Sequence, residues 1–238
     1  MMGHSHALSG ALVWLAAAPG RAALTPLTPF AGDALLPAEL IAGALVCAGA
    51  AMLPDLDHPS ATIAQTFGPV TWLLSKVVNV LAGGHRHATH SLLFCVAAGA
   101  GAHALAQWNT VARDVVVVLM IGLALRALAI GVPGRTITSA VVNVLLTTAI
   151  FLILGSLGVG YGWLGLAVGV GALAHVVGDC LTERGCPVLW PLKGRWLLPY
   201  KIGFKTGKAF EQRLLAPALS VAIVVLLYLR LMPEVTLG

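Results

Sequence analysis

The chain has 238 residues, of which 58% are hydrophobic and only 10% charged, and its mean hydropathy is +0.92. Soluble domains carry about 25% charged residues, so the composition excludes an ordinary soluble protein and points to an integral membrane protein. The formal charge of +5 does not indicate a nucleic-acid partner: seven of the 14 Lys and Arg residues fall between Arg184 and Arg213, marking a basic cytoplasmic segment at 183–210 that meets anionic headgroups.

About 20 apolar residues cross a bilayer core as a helix. The first apolar stretch, 6–19, is short and is read as a spanning or steeply inserted helix. It lacks the Lys/Arg-rich start of a secretory signal and is read as mature chain. Fuller spans follow at 35–53, 91–108, 114–132, 138–157, 160–181 and 211–232. The stretch 69–82 carries Lys76 and Asn79 and reads as an interfacial or re-entrant helix. The expected fold is therefore all-α: one polytopic transmembrane bundle over 1–238, with six to seven spans plus that extra helix. Gly158, Gly162, Gly165 and Gly169 are spaced for close small-residue packing against a neighbouring helix. Cys47, Cys95, Cys180 and Cys186 form no CxxC pair and call for no disulfide framework.

Three polar motifs interrupt this apolar sequence. "PDLDHP" supplies Asp55, Asp57 and His58 between two prolines, so the preceding helix is expected to stop near Leu53, with both carboxylates on a non-helical segment. "HRHATHS" supplies His85, Arg86, His87 and His90, with Thr89 or Ser91 available to cap the next helix. "HVVGD" places His175 and Asp179 one helical turn apart on one face. Counting crossings brings all three motifs, and His6 near the start, to the same side of the membrane. Only Arg21, Arg113 and Arg230 lie near loops on the other side, so the positive-inside rule puts the motif face in the cytoplasm.

Imidazole and carboxylate donors suit Zn²⁺, Mn²⁺ or Fe²⁺, with Zn²⁺ or Mn²⁺ expected here, and the lack of thiolates argues against a closed structural zinc site. More than four candidate donors leave room for two ions, an arrangement that activates water and clamps a phosphoryl oxygen. HExxH is absent, which disfavours a zincin-type protease. Arg86, embedded in the histidine motif, is the candidate contact for an anionic group. Arg126 either snorkels to the interface or neutralises an anionic substrate. His87 is read as a bystander, His103 as a packing residue and Asn143 as a cavity-lining group.

The segments "LPDLDHPS" at 53–60, "HRHATHS" at 85–91 and "HVVGDCLTERGCPVLWP" at 175–191, preceded by His6, resemble in order and spacing those of the bacterial membrane-bound metal-dependent hydrolases of the LexA-regulated, YdjM-like group. The resemblance implies a multi-pass inner-membrane protein holding a divalent metal, with His6, Asp55, Asp57, His85, His90, His175 and Asp179 as the metal set. The expected function is hydrolysis of a phosphoester or related bond in a lipid-like substrate, with Asp55 or Asp57 as base and Arg86 as anion contact. A metal-ion transporter or metal-binding membrane protein without turnover is the competing reading. Transport calls for polar groups at several depths, and here they gather at one face.

Overall fold

The computed structural model describes residues 1–19, 34–132, 134, 136–192, 194 and 203–232. Lys193, Arg195 and Lys201 of the basic segment, its aromatic residues Trp196 and Tyr200, and Arg21 lie outside the described residues. The described chain is helical: α1 (Gly3–Ala17), α2 (Pro37–Ala50), α3 (Pro69–Ala82), α4 (Leu92–Trp108), α5 (Thr110–Ala127), α6 (Ile137–Ser156), α7 (Leu164–Cys180) and α8 (Ala216–Leu231). Among the described residues, three stretches are long and apolar enough to cross a membrane, Pro37–Asp57, Ile137–Ser156 and Glu211–Leu231. The helices Pro69–Ala82, Leu92–Trp108 and Leu164–Cys180 are apolar but shorter. Of the expected spans, 35–53, 138–157 and 211–232 are thus full-length, 91–108 and 160–181 are short, and those at 6–19 and 114–132, α1 and α5, fall in neither set.

Local chemistry sets several boundaries. Ser91 Oγ accepts from Phe94 N at 3.2 Å to start α4, and Asn109 Oδ1 accepts from Val111 N at 2.7 Å to start α5. α2 begins with Pro37, and the Glu39 carboxylate accepts from Leu36 N at 3.0 Å. The end of α2 differs from expectation. The helix stops at Ala50, and Pro54–Asp57 forms a 3-10 turn rather than a non-helical segment. Pro54 opens that turn, where its missing N–H costs nothing, and His58 leaves helical geometry before Pro59.

Small residues let the backbones approach. Gly171 of α7 sits against the Cys47 carbonyl and Ala50 of α2, while Gly165 and Gly169 lie against Gly99 of α4. Gly158 and Gly162, grouped with them by spacing, face open space. Arg230 of α8 reaches the other end of the bundle. It donates to the carbonyls of Leu15 at 3.1 Å and Ala18 at 2.8 Å, closing the C-terminus of α1.

The outer surface is apolar. α3 buries Thr71, Ser75 and Ala82 and exposes Val70, Leu73, Val80 and Leu81, the last two by 77% and 80%. A helix with its polar side inward and its apolar side outward fits lipid surroundings and not water. Asn79 on α3 donates to the Asp57 carbonyl at 2.6 Å, which fastens this helix to the turn after α2.

Gly171→Val tests the packing. Its side chain meets α2 backbone that cannot yield, so the variant should lose about 1–3 kcal/mol of stability in detergent unfolding. Gly155→Ala, in open space on α6, should gain up to about 1 kcal/mol from helix propensity.

Candidate metal centre

The N-terminal part of α1, the turn after α2, the histidine loop before α4 and the C-terminal part of α7 meet at one end of the bundle. The turn after α2 contributes Asp55 and Asp57, which face different partners. Asp57 is fully buried and gathers the histidine loop. It lies 2.6 Å from His85 Nδ1, and its other oxygen accepts from Thr89 Oγ1 at 2.6 Å and from Arg86 N at 3.0 Å. Arg86 adopts a left-handed φ of 62° to present that N–H, a strained geometry for a residue with a Cβ. Its guanidinium then crosses to the far wall, with Nη2 2.7 Å from Asp179 Oδ2 and Nη1 donating to the Gly185 carbonyl at 3.1 Å.

The remaining donors converge between these walls. His175 Nδ1 lies 2.7 Å from the Ala51 carbonyl. A carbonyl only accepts, so the proton sits on Nδ1 and the Nε2 lone pair faces the site. His175 Nε2 and His90 Nε2 are 3.3 Å apart. Asp55 Oδ1 is 3.7 Å from each of these nitrogens, and Asp179 Oδ2 is 3.8 Å from His90 Nε2 and 3.9 Å from His175 Nε2. The His6 ring stacks on that of His175 at 3.7 Å, with Nε2 3.3 Å from Asp179 Oδ1 and a buried Nδ1 that has no partner. The Met1 amino nitrogen also reaches Asp179 Oδ1, at 2.5 Å.

These donors fit a metal ion. Two groups, His6–His175–Asp179 and Asp55–His85–His90, each bring their donor atoms within 4.8 Å of one another. Nitrogens about 2.0–2.1 Å from a tetrahedral zinc lie roughly 3.3 Å apart, the separation found between His90 and His175. Charge points the same way. Asp55, Asp57 and Asp179 stand against the Arg86 guanidinium and the Met1 ammonium, and three carboxylates this crowded need a further cation or protons to relieve them. In the protein without metal His90 takes that role. Burial alone would lower its pKa, but the Asp55 and Asp57 carboxylates outweigh burial and raise it to about 9.

The candidate set is therefore gathered as one constellation, with different parts for its members. Asp55, whose side chain is 22% exposed, faces the donor nitrogens, whereas Asp57 is taken up by the histidine loop. His87 is exposed and outside the site. Between the two capping candidates, Ser91 starts α4 and Thr89 grips Asp57. Arg126 is bound to the α5–α6 turn through Ser139 and Gly134. His58 was not singled out as a donor, yet its ring lies 4.7 Å from that of His85 at the rim. The Ala51 and Gly185 carbonyls were also missed, because backbone acceptors carry no signal in residue type.

Metal titration against pH tests this electrostatics. A pKa raised in the folded state stabilises the metal-free protein fully below about 6.5 and ceases to do so as pH rises through about 9. A metal must displace the His90 proton. Zinc affinity, read with a competing chelator, should rise about tenfold per pH unit from about pH 7 to about 9 and then flatten. A flat profile contradicts the assignment. Thr89→Val, which removes one grip on Asp57, should weaken zinc binding about 10–100-fold while the helices remain folded.

No curated protein and no solved structure matches the chain. The model of one family, described as YdjM inner membrane protein, matches residues 1–234. With that match, the apolar helices and the lipid-facing surface, the chain is a membrane protein that belongs to the YdjM inner membrane protein family.

Proposed function

We propose that the chain is a membrane-embedded, metal-dependent hydrolase that cleaves a phosphoester or related bond in a lipid-like substrate at the cytoplasmic face. The observation that carries this reading is the facing pair of His90 and His175 nitrogens, 3.3 Å apart, with Asp55 and Asp179 oxygens beside them. His6, Asp55, His85, His90, His175 and Asp179 hold the divalent ion, and their number accommodates a second. When bound, such an ion acts as a Lewis acid on a phosphoryl oxygen and lowers the pKa of water.

The chain's own residues do the rest. Asp57 positions His85 and the loop that bears His90. Asp55, the partly exposed carboxylate of the set, turns Oδ1 to the donor nitrogens and has its second oxygen to accept a proton from the attacking water. Arg86 joins the two walls, and its Nε–H, which has no protein partner, is left for an anionic group of the substrate. The Lys and Arg residues after Glu183 support a cytoplasmic orientation. The gathering of donors at one end favours hydrolysis over transport, for which polar groups at several depths are expected.

Element analysis of purified protein tests the reading. The parent should carry at least one equivalent of zinc or manganese, and His90→Ala and Asp179→Ala should each lose most of it. Full metal content in both variants overturns the site. With metal present, the parent should turn over at least one phosphoester amphiphile, and Asp55→Asn should lower kcat by about 10²–10⁴-fold. Metal without turnover overturns the hydrolase and leaves a metal-binding protein.

A further inference from the structure

A second cluster, separate from the metal centre, surrounds Arg126 near the C-terminus of α5. Its guanidinium donates to Ser139 Oγ and to the Gly134 carbonyl, and its Nε is buried without a partner. No carboxylate among the described residues neutralises it. Elsewhere Arg86 pairs with Asp179, Arg113 with Asp114 and Lys205 with Glu183. A cavity of about 120 Å³ opens beside Arg126, Ser139 and Asn143. Asn143 is buried. Its Nδ2 donates to the carbonyls of Thr66 at 3.3 Å and Gly122 at 3.4 Å, while its Oδ1 has no partner.

Ala140 and Val144, next to Ser139 and Asn143 on α6, line a second, apolar cavity of about 610 Å³ between α3 and α6. Phe67, Trp72, Ile137, Val141, Val144 and Leu145 line it. An unneutralised guanidinium at a helix end close to the membrane surface calls for an anion, and an apolar groove on a lipid-facing surface calls for a hydrocarbon chain. Asn143 Oδ1 additionally calls for a hydrogen-bond donor.

We propose that this pair of cavities is a binding site for an anionic phospholipid, its phosphate against Arg126, a headgroup hydroxyl on Asn143 Oδ1 and an acyl chain in the α3–α6 groove. Charge complementarity selects a phospholipid with net negative charge over a zwitterionic one. The inference is independent of the metal centre and holds whether or not that centre is catalytic.

Trp72 makes the groove observable. Lipids brominated in the acyl chain quench tryptophan on contact, and the difference between the parent and Trp72→Phe isolates the Trp72 signal. In mixed micelles, brominated phosphatidylglycerol should half-quench that signal at a mole fraction at least fivefold below brominated phosphatidylcholine. Arg126→Gln should abolish this preference and Arg126→Lys should keep most of it. Val144→Phe, which fills the groove from the lipid side without touching Arg126, should weaken quenching by phosphatidylglycerol. Excess inorganic phosphate should leave quenching unchanged. Equal quenching by the two lipids in the parent overturns the proposal, as does a preference that survives Arg126→Gln. Reversal by inorganic phosphate overturns the lipid as occupant.

Discussion

Burying Asp57 and Asp179 at one end of a hydrophobic bundle, with Asp55 beside them and one guanidinium between, is the constraint to which the rest of the structure answers. An unpaired charge in such surroundings costs several kcal/mol, so each carboxylate recruits a partner from a different segment. Asp57 draws in His85, Thr89 and the Arg86 amide. Asp179 draws in His6, the Met1 amine and the Arg86 guanidinium. Arg86 meets both, through its backbone on one side and its side chain on the other. The left-handed strain at Arg86 is the local cost of that double engagement.

The bundle behind the site is built to hold such an end rigid. Gly171 brings α7 onto α2 and places His175 beside the free Ala51 carbonyl at the end of that helix. Gly99, Gly165 and Gly169 bring α4 onto α7, which sets the spacing between His90 and His175. Water does not drive apolar helices together in lipid, so close backbone packing and buried polar contacts carry the association. Arg230 ties α8 to α1 at the opposite end. The candidate-site end and the capped end are therefore fixed by separate polar contacts, with a small-residue core between them.

Much of the candidate site was legible because polar residues in an apolar sequence are expensive and stand out. Three motifs at helix edges, brought to one face by counting crossings, contain the donors that meet in space. What stayed hidden rests on contacts between distant segments. Thr89 and Ser91 are equally good caps by residue type, and only the approach of Asp57 assigns Thr89 its other role. The two prolines predict a non-helical segment at 54–59, whereas the 3-10 turn at Pro54–Asp57 is what turns Asp55 and Asp57 to different partners. Arg86 looked free for an anion, but Asp179 and Gly185 occupy both of its terminal nitrogens. Arg126 left two readings open, and the groove beside it comes from packing α3 against α6, which no local pattern encodes.

X-ray absorption at the zinc edge of the metal-loaded protein tests the central claim most directly. Coordination by nitrogen and oxygen donors at about 2.0–2.2 Å, with outer-shell scattering from at least two imidazoles, is the predicted spectrum. The free thiols of Cys180 and Cys186 lie 3.3 Å apart next to Asp179 and are the nearest rival donors. Sulfur at about 2.3 Å, or a first shell without imidazole, would contradict the account.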